Sequence, residues 1–515
     1  MSDSEEANRL KSRRTDWEKE LRQFPLNPKG VPAKLKQSVE ERIAMGATPK
    51  RYTGGAWAAA VALLLAAAVL VAEREPILSL FKQDKDELPF DVTTERSVKV
   101  HWIDGMSFMS RYGEAFIIQH PNMDVETVNS PPYDPQKDRV AQYEEMIERD
   151  KPDVVYLTMD IYRELADKGK LLPLQTLIDK DKYSLAGFRE GVLETLRSVG
   201  GGKLYGLAPE FRTEALYYNK SLFDKYGIPY PVDKMSWEDI FRLAQRFPAD
   251  GEGDDRVYGL VTNSASPYGT AEAAGWTMGL SMISADGGKM TADTAAWRNI
   301  WQFVADGVKK GWLYEMKPRT GSISGIDYYK RTPFLTGNAA MMTASASIAT
   351  DLIEAKKRYN LADFAWDIVT EPVDPAKPDI SSSYTFDGVY AIPAQSANSR
   401  DAWEIVKLIH NEAMAKKLSL QYAGAVGIST RKSVSLPSNG RRMEAFSILK
   451  PDPAFSGRTD RYTLLPREAY NALSAAVTEE LKATAAGTKN LDAAVSAIQQ
   501  RGQQAIENAK AAVKP

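Results

Sequence analysis

The chain of 515 residues contains no cysteine. That excludes disulfides, thiolate metal ligands, cysteine nucleophiles and a lipid-modified cysteine, so any membrane anchoring must come from the polypeptide itself. Histidine is scarce. His101, His120 and His410 lie far apart in sequence, which gives no basis for a histidine-rich metal centre or a Ser-His-Asp triad. An excess of charge of one sign is missing as well. With 66 Lys and Arg against 68 Asp and Glu the formal net charge is −2, and no basic stripe with interleaved aromatics is present, so nucleic acid is not an expected partner. What remains is a globular composition, 43% hydrophobic and 26% charged, on a chain long enough for two or three compact units.

One long hydrophobic run is present. Residues 56–72 carry no charge, proline or glycine, a length at the short end of the roughly 17–25 residues that span a bilayer as a helix. The run is apolar on all sides, with no polar stripe to face water. Lys34, Lys36, Arg42, Lys50 and Arg51 precede it, whereas the Arg74, Lys82 and Lys85 that follow are mixed with five acidic residues. That bias points the N-terminus inward. A cleaved secretory signal carries a short basic start rather than a charged segment of this length. The expectation is a single-pass signal anchor with its N-terminus cytoplasmic: 1–54 a cytoplasmic tail, 55–72 the transmembrane helix, 73–96 a tether. A buried core helix and a cleavage after Ala68 or Ala72 are the alternatives.

From Ser97 the pattern alternates between strands and helices. Val98–Ile103 is β-branched and aromatic, Met109–His120 is helical in pattern, and Asp124–Val128 is a second strand. Val140–Arg149 is a helix, and Asp153–Thr158 is a short buried strand. Such alternation predicts a mostly parallel sheet covered on both faces, with ligands bound beyond the carboxyl ends of its strands. Asp104, Met106 and Asp160 follow the first and third strands. Both aspartates also suit ordinary helix caps.

The segments 152–174 and 202–240 resemble extracellular solute-binding proteins of bacterial ABC importers, of the sugar-binding type related to maltose-binding protein. The second segment carries a Gly-Leu-x-Pro step (206–209), a Tyr-Tyr-Asn-Lys strand end (217–220) and a Ser-Trp-Glu-Asp helix start (236–239). Residues 334–347 and 386–409 resemble two further segments of that family, in the right order. The resemblance implies an α/β, two-lobed periplasmic-binding-protein-like fold preceded by the single transmembrane helix. Its lobe one is 97–209 and 387–435, its lobe two 210–386 and 436–515, with crossings near Pro209, Asp387 and Ser435. It further implies ABC permease subunits as partners, capture of a small solute such as a sugar or oligosaccharide, no enzymatic activity and no cofactor.

A sugar offers hydroxyls in its ring plane and a flat apolar face, which planar polar groups and aromatic rings match. Glu210 and Arg212 lie just past the crossover proline, where the family places polar contacts, although they also suit a pair with each other. Trp276 matches a helix whose aromatic faces the cleft in that family, or else a core position, and Tyr384 and Asp387 mark the return crossing. Where relatives show a glycine and then a ligand-contacting tryptophan, this chain has Ser345 and Ser347. That loss argues for a smaller or more polar solute than a maltodextrin. The acidic turn 250–255 resembles a calcium loop with its first aspartate replaced by Pro248 and its last acidic position by Arg256, so no bound metal is expected. The tail 1–54 motivates a second hypothesis, a membrane-bound ligand sensor that signals through a cytoplasmic partner. No nucleophile elbow, phosphate loop or histidine cluster supports an enzyme.

Overall fold

A computed structural model describes residues 94–130, 138–249, 251, 256–316, 325–361, 363–422, 427–437, 440–452 and 467–513. The chain divides into compact units at 1–82 and 83–515, and all described residues lie in the second. The expected anchor helix and the residues of the acidic turn other than Gly251 lie outside the described residues.

The first sheet assembly begins with β1 (Arg96–Trp102), which pairs in parallel with β2 (Met123–Asn129). On β1 the apolar Val98, Val100 and Trp102 turn inward while Ser97 and Lys99 keep some surface, a period-two pattern that ends at His101, where both faces are covered. Val100 also bridges in parallel to Val154, just ahead of β3 (Val155–Leu157). β4 (Gly206–Leu207) and β3 then flank the return strand β11 (Val389–Ala391), which is antiparallel to both. The parallel sheet expected from the alternation therefore holds only for its first three strands. Element order fixes what alternates, but pairing direction depends on how the chain returns from more than 180 residues away.

The second sheet is also mixed. Its order is β7 (Tyr258–Val261), β8 (Ala339–Ser345), β6 (Glu214–Asn219) and β9 (Trp366–Thr370), parallel only between β7 and β8. Successive residues of β6 point into different cores: Ala215 and Tyr217 join the cluster that continues into the first assembly. Leu216 and Tyr218 join one that includes Trp297, Trp301 and the C-terminal helices. Those helices, Arg467–Ala485 and Leu491–Val513, bury Leu473, Val477, Val495 and Ile498.

Between these sheets three short segments form a small antiparallel sheet, with β5 (Glu210–Arg212) between β10 (Thr385–Phe386) and β12 (Ile428–Ser429). Phe211 of β5 lies flat against Tyr384, with ring centroids 4.5 Å apart and planes 3° from parallel. Gly427 leads into β12 with φ of 154°, where a Cβ would lie 3.0 Å from Glu210 and 3.1 Å from the Asp387 carboxylate. Only glycine admits that convergence of the three segments.

Candidate functional site

Because β1, β2 and the segment entering β3 run parallel, their carboxyl ends share one edge, and a cavity of about 260 Å³ opens beyond it. Each strand supplies the residue at its exit: Ile103, Ser130 and Thr158. Helix α1 (Arg139–Asp150) adds Arg139 and Tyr143, while Tyr156 and Asp387 complete the wall. Beneath it His101 is fully buried, and burial outweighs the opposing charge of Asp150 to pull its pKa down to about 4. Its imidazole is therefore neutral near pH 7. Nδ1 lies 3.3 Å from the Tyr156 N–H and Nε2 lies 3.0 Å from the Ser130 hydroxyl.

At the crossing segments, Glu210 is buried and ion-paired with Arg111, while Arg212 binds both oxygens of Asp387. The Tyr156 hydroxyl donates to the Asp387 carbonyl at 2.7 Å. Arg111 projects from a π-helical turn, Met109–Gly113, inside what the sequence presents as one helix, and such turns alter where side chains point. Burial, together with the Asp387 charge, holds the Glu210 carboxyl above the ordinary range despite Arg111 and Arg212. Hydrogen bonding to Asp387 raises Arg212 against the smaller effect of its own partial burial.

At the facing edge of the second sheet, Glu214 of β6 stands opposite Ser345 of β8 and accepts a hydrogen bond from the Asn263 amide at 2.7 Å. Glu371 accepts from the Ser382 N–H at 2.9 Å and from the Ser381 hydroxyl. Burial first, and the Glu371 charge second, push Glu214 up to about 7 against the Asn263 hydrogen bond. Crowded by protein on most sides, this carboxyl still keeps part of its residue's surface open to solvent.

The expected site residues divide into groups. Glu210, Arg212 and Asp387 converge, though Glu210 and Arg212 pair with other residues and not with each other. Asp104 caps the turn Gly105–Phe108, accepting from the Ser107 N–H at 3.0 Å and its hydroxyl at 2.6 Å, while Met106 beside it is 85% exposed. Asp160 lies in the first turn of α2 (Met159–Asp167), 3.9 Å from Arg139. Ser345 and Ser347 hydrogen-bond to each other at 2.9 Å. Trp276 is half-buried on the helix Pro267–Thr277. Tyr384 is only 3% exposed, so its ring belongs to the packing of the crossing segments and offers no open face. Sequence reasoning missed Arg111, Arg139, Ser130, Thr158 and Glu214. Ser130 and Thr158 carry the same signal that singled out Asp104, a polar residue at a strand's exit; Arg111 carries none. No group of three or more His, Asp or Glu able to hold a metal ion occurs among the described residues.

The sequence profile of the family described as bacterial extracellular solute-binding protein matches residues 112–445. The chain belongs to this family. Its members bind solutes and are not enzymes. A binding protein of Brucella abortus strain 2308 is 22% identical over 284 residues, which is 54% of this chain and 64% of that protein. The chain thus spans less than two thirds of the length of the curated relatives it matches first. An sn-glycerol-3-phosphate-binding periplasmic protein of the same strain is 21% identical over 365 residues, covering 67% of this chain and 78% of that protein. Among solved structures, a sugar transporter from Rhizobium etli in an open conformation aligns with a TM-score of 0.55 at 17% identity, over 79% of this chain and 99% of its own. The sugar-binding protein MalE of Xanthomonas citri aligns with a TM-score of 0.53 at 15% identity, over 81% and 98%. These alignments show the α/β fold of periplasmic binding proteins. Among the described residues no helix of this solute-binding protein is long and apolar enough to cross a membrane.

Proposed function

We propose that this protein is a membrane-anchored receptor that captures a carbohydrate-like solute outside the cell and delivers it to an ABC import permease. The observation that carries the reading is the cavity at the strand exits of the first assembly, walled in part by Asp387 of a crossing segment. A solute there touches both the strand ends and the segments about which two lobes would turn. Contacts completed only on closure make the closed form the ligand's preferred state, and a permease can read that form. The lobes are taken as 97–209 with 387–435, and 210–386 with 436–515. Ser345, Ser347 and Trp276 are assigned to the second lobe's share of the site, and Asp104, Met106 and Asp160 to the rim of the first. The fold shared with a sugar transporter and with MalE favours a carbohydrate, as does a wall that mixes hydroxyl, amide, carboxylate and aromatic groups. Anchoring is assigned to residues 55–72.

A thermal-shift screen of the full-length chain in mild detergent against sugars, polyols, amino acids and peptides tests the reading. A ligand present at about a hundred times its Kd stabilises by about 2.7 kcal/mol, a shift of a few degrees. Stabilisation by an amino acid or peptide and by no sugar or polyol would overturn it. For the anchor, deleting residues 55–72 releases the protein from the membrane fraction, and persistence there refutes the assignment.

A further inference from the structure

Two carboxylates meet at the edge of the second sheet, and among the described residues no cation pairs with either. In the antiparallel ladder of β6 and β9, Ala215 pairs with Thr370. One step past that pair Glu214 and Glu371 stand opposite each other, a cross-strand position where Cβ atoms lie about 4.5–5.5 Å apart and like charges destabilise. On the other side of β6, Glu214 pairs with Ser345 of β8. The loop after β7 brings Asn263, and the stretch 381–383 brings three serines. None of these neighbours is positively charged. Arg212, two residues earlier in the chain, is engaged with both oxygens of Asp387. Glu371 is the one charge that bears on Glu214 among the described residues.

A desolvated pair of this kind resists a second ionisation, and its hydrogen-bond donors decide which member keeps the proton. Glu371, 4% exposed, accepts from the Ser381 hydroxyl and from the Ser382 and Ser383 N–H groups, the last two at 2.9 and 3.3 Å. Those donors favour its anion. Glu214 accepts from the Asn263 amide alone, so the proton rests on Glu214, in keeping with a pKa pushed up to about 7. Both residues are tied to the same segment. Ser383 accepts from the Glu214 N–H at 2.8 Å through its hydroxyl and donates its own N–H to Glu371. Next in the chain come Tyr384, stacked on Phe211, then β10 and Asp387. Glu371 cannot turn to solvent without displacing that segment, so repulsion between two ionised carboxylates is released through the start of the return crossing.

We propose that Glu214 and Glu371 form a proton-holding latch: with one proton between them the crossing 381–388 is pinned to the second sheet, and loss of that proton loosens it. Because the Glu214 carboxyl is raised in the folded chain, the pinned form holds on the acid side and fades as the pH climbs through the folded value. The latch itself stands without the receptor reading. Only its use, setting how readily two lobes turn about the crossing, rests on that reading.

Hydrogen exchange of the full-length chain in mild detergent, with no solute added, tests the latch at pH 6 and pH 8, each rate divided by the intrinsic rate at that pH. Protection across 381–388 should fall several-fold between the two, up to the roughly tenfold that release of one proton allows, while β1 keeps its protection. Glu214→Gln, neutral at both values, should hold its protection at pH 8. Glu371→Gln, which removes the opposing charge, should reduce the change and carries the comparison if the first variant does not fold. The infrared spectrum of the parent should show a protonated-carboxyl band at pH 6 that is lost at pH 8 and is missing from Glu214→Gln. Equal protection of the parent at both pH values, a fall that persists in both variants, or no such carboxyl band at pH 6 overturns the latch. Each of these leaves the receptor reading standing, since that depends on the thermal-shift screen.

Discussion

Replacing Arg111 with methionine keeps much of the side-chain volume but leaves the Glu210 carboxylate alone in the crossing region. The two side chains are only 13% and 9% exposed, so water cannot take over the lost partner. Breaking a buried pair from one side costs about 3–5 kcal/mol, and here the remaining Asp387 charge adds repulsion that the Arg212 charge offsets in part. The loss also depends on pH. Glu210 already sits above its ordinary value of 4.5 because of burial, and removing Arg111 raises it further. A carboxyl raised in the folded state binds its proton more tightly than in the unfolded chain. Its contribution is therefore most favourable below 4.5 and is lost as the pH rises through the folded value. Arg111→Met should thus lose most at pH 7 to 8 and recover as the pH falls through the carboxyl's raised folded value, where Glu210 becomes neutral. Guanidinium unfolding followed by tryptophan fluorescence at several pH values reads this directly. Adding Glu210→Gln should restore much of the loss at pH 7 and flatten the pH dependence. A loss under about 1 kcal/mol at pH 7, or one equally large at pH 5 and in the double variant, refutes the argument from an uncompensated buried charge.

Two further predictions concern groups near the crossing segments. Glu214, raised to about 7 by burial and by Glu371, withdraws stability as the pH climbs from about 4.5 to 7. Glu214→Gln should therefore be more stable than the parent at pH 8 and nearly indistinguishable at pH 4.5; thermal unfolding at both values checks this, and equal differences at both contradict it. Tyr384 carries a buried hydroxyl with no hydrogen-bond partner. Tyr384→Phe should be neutral or stabilising by up to about 1 kcal/mol, because it removes an unsatisfied polar group, whereas Tyr384→Ala should cost about 3–5 kcal/mol through the lost stack on Phe211. Denaturation midpoints of the two variants that fall together would argue against that division.

Much of the first assembly was legible in order. The β-branched and aromatic stretches became β1, β2 and β3 within a few residues of their expected ends, because strands with one wet face repeat every two residues. The helix expected over 109–120 starts earlier, at Gly105, and passes through the π-helical turn that aims Arg111. A turn of that kind leaves no mark in hydrophobic periodicity. Of the site, Glu210, Arg212 and Asp387 were legible through their places beside recognisable family segments. Which carboxylate faces which guanidinium was not, since Arg111 and Glu210 are 99 residues apart in sequence.

The sequence by itself determined the absence of cysteine chemistry, the lone apolar run, the alternation of strands and helices, and the family. These are properties of composition and of short segments, and local physics or a profile reads them without knowing what lies across the fold. Only the tertiary structure decided that β11 returns antiparallel, that Tyr384 is covered by Phe211, and that the buried His101 meets Ser130 at the edge of a cavity that Thr158 and Arg139 also line. Each of these depends on residues brought together from distant parts of the chain. Hydrogen-bond direction and burial are set by such neighbours, and a side chain's chemistry follows from them.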